Sequence, residues 1–417
     1  MATELEEIRI DTASLVVGMF VSRLDRPWEG TPFPLQGFEV RTQNDLRALR
    51  ELCSFVYIDR RRDLGSNRHN LLTLPRGEHR DARFQRATNY ENKVRIEDEL
   101  PAAHETLQAT SELLDRIYMD VASGQELSVE NVERIVRPLV ASVLRSADAF
   151  LFLEGMRQHD DYVYSHAIAC GALAAAFGRH LGLPEGTILS LATGGLLMDV
   201  GKTRLPSELL RRSDPLSQDE IELVHAHVEL GVDIVNAGGI NDPDVLDVLR
   251  THHERFDGSG YPAHLPEDAI PMAGRMLAII DSYDAMCRPR PYRTAISRHE
   301  ALQNIYRARD VLYQAELVEQ FQVCMGVYPT GSLVELSTGE VAVVLEQNHV
   351  RRLRPTVLVV STPDKESLQE FRVFNLLDQT VGGSTVEISR TLPVGAYAID
   401  ADGFSGWRKS GTSRPSC

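Results

Sequence analysis

The sequence predicts a multidomain protein: a central all-α bundle flanked by a small N-terminal α+β module and a small C-terminal β-rich module. Three observations lead there. At 417 residues the chain is too long for one compact core, since domains run to roughly 150 residues. The spacing of its apolar residues changes twice along the chain, from strand-like alternation to a helical period of about 3.6 and back. Hydrophobic residues at 43% and charged residues at 25% match an ordinary folded protein rather than a disordered or fibrous one.

The N-terminal module is expected over residues 1–62. Short β runs bounded by Gly and Pro, Ile8-Arg9-Ile10, Met19-Phe20-Val21, Gly37-Phe38-Glu39-Val40 and Val56-Tyr57-Ile58-Asp59, surround a helical segment over 42–53. Residues 60–80 carry charge, Asn and Gly with few periodic apolar positions, and the linker is placed over 63–95. Helical periodicity begins near Leu100, where Leu107, Leu113, Leu114, Ile117, Tyr118 and Val121 trace one face. Further helices are expected over 129–144, 165–181, 187–198, 218–235, 244–253, 270–286 and 299–309, so that a bundle fills 96–326 with its core at 155–320. After Tyr328-Pro329 strands return over 333–336, 341–345 and 356–360, the first two joined by the turn at 337–340. The β-rich module is expected to end near 398, and the Gly- and Ser-rich residues 399–417 to lack order.

Charge and cysteine usage narrow the function classes. A net charge of -16 and a pI near 5.3 argue against DNA, whose binding needs a basic face. A small anionic substrate stays open, because salt screens a distant negative field within about 8–10 Å. No stretch approaches the roughly 20 apolar residues that span a bilayer, and residues 1–10 are acidic where a secretory leader would be basic. No membrane association and a cytoplasmic location are expected. Cys53, Cys170, Cys287, Cys324 and Cys417 form no CxxC pair and are odd in number, which points to reduced thiols.

The helical region concentrates metal-ligand side chains: His166, Asp199, His225, His227, His252, His253 and Asp281. Mixed imidazole and carboxylate donors suit iron, manganese, zinc or nickel. Taken singly, each is more often a solvated or hydrogen-bonded structural residue. The string His252-His253-Glu254-Arg255-Phe256-Asp257-Gly258-Ser259-Gly260-Tyr261-Pro262 is far more specific. Read as an ordinary turn it needs only its glycines and proline.

As a whole, that string matches the HHExxDGxGYP signature of the HD-GYP family of bacterial cyclic dinucleotide phosphodiesterases without a mismatch. Ser165-His166, Asp199-Val200-Gly201-Lys202, His227-Val228-Glu229-Leu230-Gly231, Ile270-Pro271, Asp281-Ser282-Tyr283-Asp284-Ala285-Met286 and Arg290-Pro291-Tyr292-Arg293 follow in family order. Residues 1–62 also resemble a domain of unknown function that often precedes such domains. The resemblance implies an HD-type helical bundle whose core binds two divalent metal ions, iron or manganese, and hydrolyses cyclic di-GMP to pGpG or GMP. It makes Asp199 the carboxylate shared by both ions. His227, His252 and His253 resemble the set for one ion, with His166 and Asp281 serving the other. His225 could compete with His227, but the family's His-x-x-x-Gly context selects His227. Lys202 would face the scissile phosphate, Arg290 and Arg293 resemble substrate-phosphate binders, and Tyr261 a residue that contacts the ligand or supports the site. A homodimer, or a protein partner such as a diguanylate cyclase, would also be in keeping with the family.

The chain departs from the pattern at Leu197-Met198-Asp199, which has methionine where the family places a metal-binding histidine. A thioether is a soft, neutral donor that does not replace imidazole on iron, manganese or zinc. The second ion is therefore expected to be held more weakly. Tyr162 stands where some members carry a glutamate associated with a third ion, so no more than two are expected. The leading expectation is a phosphodiesterase impaired by Met198. The alternative is a catalytically inactive protein that binds cyclic di-GMP as a signalling scaffold.

Overall fold

The computed structural model of the chain describes residues 7–16, 19–26, 38–40, 43–59, 88–156, 162–212, 214–289, 294–348, 351–381 and 384–398. The chain divides into two compact units, Met1–Asp81 with Val350–Leu353, and Ala82–His349 with Arg354–Cys417. Of the expected linker over 63–95, residues 63–87 lie outside the described residues, as does the tail at 399–417.

In the first unit β1 (Glu7–Asp11), β2 (Phe20–Leu24), β3 (Phe38–Glu39), α1 (Gln43–Leu52) and β4 (Phe55–Asp59) follow in order. The strands form an antiparallel sheet in the order β1-β4-β2-β3. Alternation along β4 buries Val56 and Ile58 against Ile10, Val21, Leu46 and Leu49, while Tyr57 turns the other way beneath the Arg23 guanidinium at 3.6 Å.

The second unit opens with twelve described helices: α2 (Ile96–Ala122), α3 (Val129–Arg145), α4 (Ala147–Met156), α5 (Tyr162–His180), α6 (Glu185–Leu197), α7 (Ser207–Arg211), α8 (Gln218–His225), α9 (His227–Ala237), α10 (Pro243–Thr251), α11 (Met272–Cys287), α12 (Arg298–Arg307) and α13 (Ala315–Met325). Local chemistry sets several starts. Ser128 accepts from the Asn131 amide at α3, Ser217 and Glu220 form a capping box at α8, and Asp242 with Pro243 opens α10. The single helix expected over 218–235 is two. The Ala226 amide bonds both Glu222 and Val224 carbonyls, a tightened last turn that ends α8 and re-aims the chain at His227. Among the described residues no helix is long and apolar enough to cross a membrane.

Small residues let the central helices approach closely. A Cβ at Gly195 of α6 would lie 2.9 Å from the Cys170 backbone of α5, so only glycine permits that separation. α6 also packs on α10, and α11 packs on both α5 and α10. The ends of α6 and α10 thereby meet the flanks of α5 and α11. Phe321 of α13 seals the other side, edge-on to Phe177 and Tyr283 at 5.2 and 5.3 Å.

After the bundle come β5 (Leu333–Leu336), β6 (Val341–Glu346), β7 (Thr356–Ser361), β8 (Ser367–Asn375), β9 (Thr380–Val381), β10 (Ser384–Thr385) and β11 (Ile388–Leu392). Five of them form an antiparallel sheet in the order β11-β5-β6-β7-β8. Leu333, Val341, Val343, Leu345, Leu358 and Val360 join the helical core. Val334, Leu336, Ala342, Val344, Val357 and Val359 pack beneath Leu376 and Val386. Burial on both faces explains why β6 and β7 read as unbroken apolar runs.

Candidate metal centre

Five elements converge on one buried cluster. α5 supplies His166. The C-terminus of α6 passes through Met198, whose amide bonds the Gly194 carbonyl, into a short 3-10 turn, Val200–Arg204, with Asp199 at its head. α10 ends at Thr251 and delivers His252 and His253, and α11 carries Asp281 and Asp284. His227 opens α9. That helix packs so tightly on the 3-10 turn that a methyl group at Gly201 would lie 1.9 Å from the His227 carbonyl oxygen. Gly201→Ala should lower stability by about 3 kcal/mol, as overpacked sites do, and should cost bound metal by displacing His227. Denaturant melts and metal analysis check both effects.

The hydrogen bonds fix the imidazoles. His227 Nδ1 donates to the Val224 carbonyl at 2.7 Å, and His252 Nδ1 to the Val248 and Leu249 carbonyls at 3.1 and 3.0 Å. Both Nε2 atoms are therefore lone pairs, yet they lie 3.5 Å apart. Each also faces Asp199 Oδ1, at 3.5 and 3.8 Å, a buried oxygen with no hydrogen-bond partner among the described residues. Three lone-pair donors turned on one point repel one another and are reconciled by a cation. A ring nitrogen of His253 completes this group within 4.8 Å.

The other Asp199 oxygen turns away. Oδ2 accepts from Lys202 Nζ at 2.6 Å and lies 4.0 Å from His166 Nε2. That nitrogen contacts Asp281 Oδ1 at 3.0 Å, while His166 Nδ1 meets Asp284 Oδ2 at 2.7 Å. His253 Nδ1 lies 3.6 Å from Asp281 Oδ2, closing the cluster. The two oxygens of Asp199 thus serve two different donor sets. A second grouping, His166, Cys170 and Asp284, is no cation site of its own. Arg288 and His166 both bond Asp284 Oδ2, and burial raises the Cys170 thiol to about 12.

Charge states follow from burial. Burial alone would raise the Asp199 carboxyl, but the Lys202 ammonium, His227 and His166 outweigh it and hold the group well below the usual carboxylate range. For His227 burial dominates and brings the imidazolium down to about 4. Burial lowers His252 and His253 as well. An anionic carboxylate beside neutral imidazoles is the protonation state that ligation requires. Because the folded histidines titrate below the ordinary value of about 6.5, the unfolded chain takes up more protons between the two values. For His227 the stability tied to its neutral form is complete above about pH 6.5 and is lost as pH falls toward about 4, and His252 and His253 act in the same direction. Chelator-treated protein should therefore lose about 1.4 kcal/mol per pH unit in that window from His227 alone. Unfolding midpoints that rose on acidification would contradict this.

The structure thus brings together His166, Asp199, Lys202, His227, His252, His253 and Asp281. His225 stands apart, its ring parallel to Tyr261 at 3.5 Å, and Tyr261 stacks on His253 at 4.6 Å. Arg290 and Arg293 lie outside the described residues. Met198 is buried within the apolar core. Sequence reasoning assigned nothing to three further residues. Glu254 accepts from the Ala263 and Leu265 amides at 2.7 and 3.1 Å and ties down the glycine-rich loop. Asp284 orients His166, and Arg288 grips Asp284. Glu254 belongs to the signature at 252–262, and Asp284, three residues after Asp281 and so on the same helical face, carried a readable signal; Arg288 carried none.

Comparison with known proteins adds independent findings. Residues 148–317 match the HD domain, and residues 7–132 match a domain of unknown function, DUF3391. The second match runs through α2 into α3. A cyclic di-GMP phosphodiesterase of Pseudomonas aeruginosa is 31% identical over 361 residues, 84% of each chain. One from Thermotoga maritima is 29% identical over 224 residues, 52% of this chain and 60% of that one. A cyclic di-GMP phosphodiesterase response regulator of Xanthomonas campestris is 30% identical over 214 residues, 51% of this chain and 52% of the relative. The solved structure of an HDGYP protein from Bdellovibrio bacteriovorus covers 76% of this chain and 98% of its own, with 15% identity and a TM-score of 0.44, too slight a likeness to assign a fold by itself.

Proposed function

The chain belongs to the HD-GYP family of HD-domain proteins, and on that premise we propose that it is a metal-dependent phosphodiesterase that hydrolyses cyclic di-GMP to pGpG or GMP. One observation carries the reading: the partnerless Asp199 Oδ1 faces two imidazole lone pairs, while Oδ2 turns toward a second donor set. Asp199, His227, His252 and His253 would hold one divalent ion. Asp199, His166 and Asp281 would hold the other, with iron or manganese the metals suited to these donors. When bound, such a pair supplies Lewis acidity and makes a water nucleophilic near neutral pH.

The protein's own groups do the rest. Lys202, 23% exposed at its side chain, sits at the edge of the cluster and offers a cation to the scissile phosphate. In hydrolysis a water oxygen bonds to phosphorus, the bond from phosphorus to the ribose oxygen breaks, and that oxygen departs with a proton. Arg290 and Arg293 are assigned to the remaining phosphate. Tyr261, stacked between its histidine neighbours in the glycine-rich loop, supports the rim of the site.

Met198 favours a second reading, in which the pocket binds cyclic di-GMP without cleaving it. The two readings separate in one assay. Purified protein, kept anaerobic with iron(II) or manganese(II), is given cyclic di-GMP, and pGpG and GMP are resolved by chromatography. Turnover that chelation abolishes and metal restores is the expected result. Binding without conversion under either metal would sink the enzymatic reading and leave the scaffold.

A further inference from the structure

Behind the metal centre runs a chain of alternating buried charges that the proposed chemistry does not use. It starts at Arg298 of α12, whose guanidinium lies 3.5 Å from Glu154 Oε2. Glu154 of α4 accepts from Arg288 through its other oxygen. Arg288, just past the end of α11, donates through Nε to Asp284 Oδ2. The same oxygen meets His166 Nδ1 at 2.7 Å, and the far nitrogen of that ring points at Asp281 Oδ1, 3.0 Å away.

All these groups are removed from water. Glu154 is 4% exposed, Asp284 1% and Arg298 6%, and the Arg288 side chain is 13% exposed. Buried ion pairs are seldom the most stable way to fill a core, because desolvation offsets most of their attraction. A purely structural clamp would be better built from apolar side chains. What apolar packing cannot provide is an acceptor held at one point beside an imidazole. A carboxylate at Nδ1 fixes both the tautomer and the ring orientation, leaving Nε2 as a directed lone pair.

We propose that Arg288, clamped by Glu154 and Arg298, is a positioning residue for the metal centre: it locks the Asp284 carboxylate that aims His166 at the ion shared with Asp281 and Asp199. The inference rests on the metal-centre reading above. It assigns the clamp to the donor set weakened by Met198, where His166 and Asp281 carry the greater share of the ligation.

Equilibrium binding of manganese(II) tests it, measured by calorimetry and by metal retained after dialysis, with activity left out. Arg288→Gln and Glu154→Gln should each weaken one of two ions by about 10–100-fold and spare the other. The double variant should be no worse than the more affected single variant, since both act through Asp284. Arg288→Lys should recover part of the loss, because it keeps the charge but not the fork. Circular dichroism confirms which variants are folded, and Glu154→Gln, three hydrogen bonds removed from the ligand His166, is the milder change. Wild-type protein that binds ions, with folded variants matching it at both sites, overturns this inference alone. Equal weakening of both ions also overturns it, marking the clamp as structural. Wild-type protein that binds no ion overturns the metal centre and the inference together.

Discussion

Asp199→Ala is expected to abolish hydrolysis of cyclic di-GMP, by about a thousandfold or more, and to release bound metal while leaving the fold intact. The magnitude follows from position. Asp199 is the carboxylate whose two oxygens face two donor sets, toward His227 and His252 on one side and His166 on the other. Removing it removes a ligand from each ion, and about 4 kcal/mol of lost transition-state stabilisation is a thousandfold in rate. The fold should survive, because Lys202, the partner left behind, is 23% exposed at its side chain and its ammonium can be hydrated instead. Asp199→Asn keeps the shape and removes the charge, and should lose metal nearly as completely. Metal analysis, turnover and thermal melts on the two variants check this. A variant that retained both ions, or kept more than a few per cent of the rate, would contradict the role given to Asp199.

Met198→His is expected to do the reverse, raising the affinity of the weaker ion on the order of 10–100-fold and the hydrolysis rate at limiting metal along with it. Met198 is 1% exposed and caps α6 one residue before Asp199, at the position where the HD-GYP family places a metal-binding histidine. The substitution carries its own signature. Without metal the new imidazole sits in an apolar core and should cost about 1–3 kcal/mol. With metal it is satisfied, so the gap between the unfolding temperatures of loaded and chelated protein should widen relative to wild type. An unchanged gap with unchanged activity would show that the site tolerates methionine and that the second ion does not depend on position 198.

Much of this arrangement is legible in the sequence because it depends on local pattern. The helical period from Leu100 onward, the strands at 333–336 and 341–345, and the signature at 252–262 each need only neighbours in the chain. The less legible parts are those where distant residues decide. The helix expected over 218–235 breaks at Ala226, where the tightened turn of α8 hands the chain to His227, and alanine gives no warning of it. Arg288 carries no signal in the sequence. Only the approach of α4 shows it paired with Glu154, which Arg298 of α12 also meets. His225 reads as a candidate ligand by residue type, and only the fold of the glycine-rich loop shows it stacked on Tyr261 instead. Glu254 belongs to a recognisable signature, yet its task of binding the Ala263 and Leu265 amides is a property of the folded loop.

The central claim is that Asp199 joins two ion-binding sets despite Met198, and the most direct test is anomalous diffraction at the manganese edge from crystals grown with manganese(II). Two peaks flanking the Asp199 carboxylate, about 3.5–4 Å apart, one beside His227 and His252 and the other beside His166 and Asp281 at lower occupancy, are the expected result. A single peak on the His227 side, no peak at all, or a peak held by Cys170 and Asp284 would contradict it.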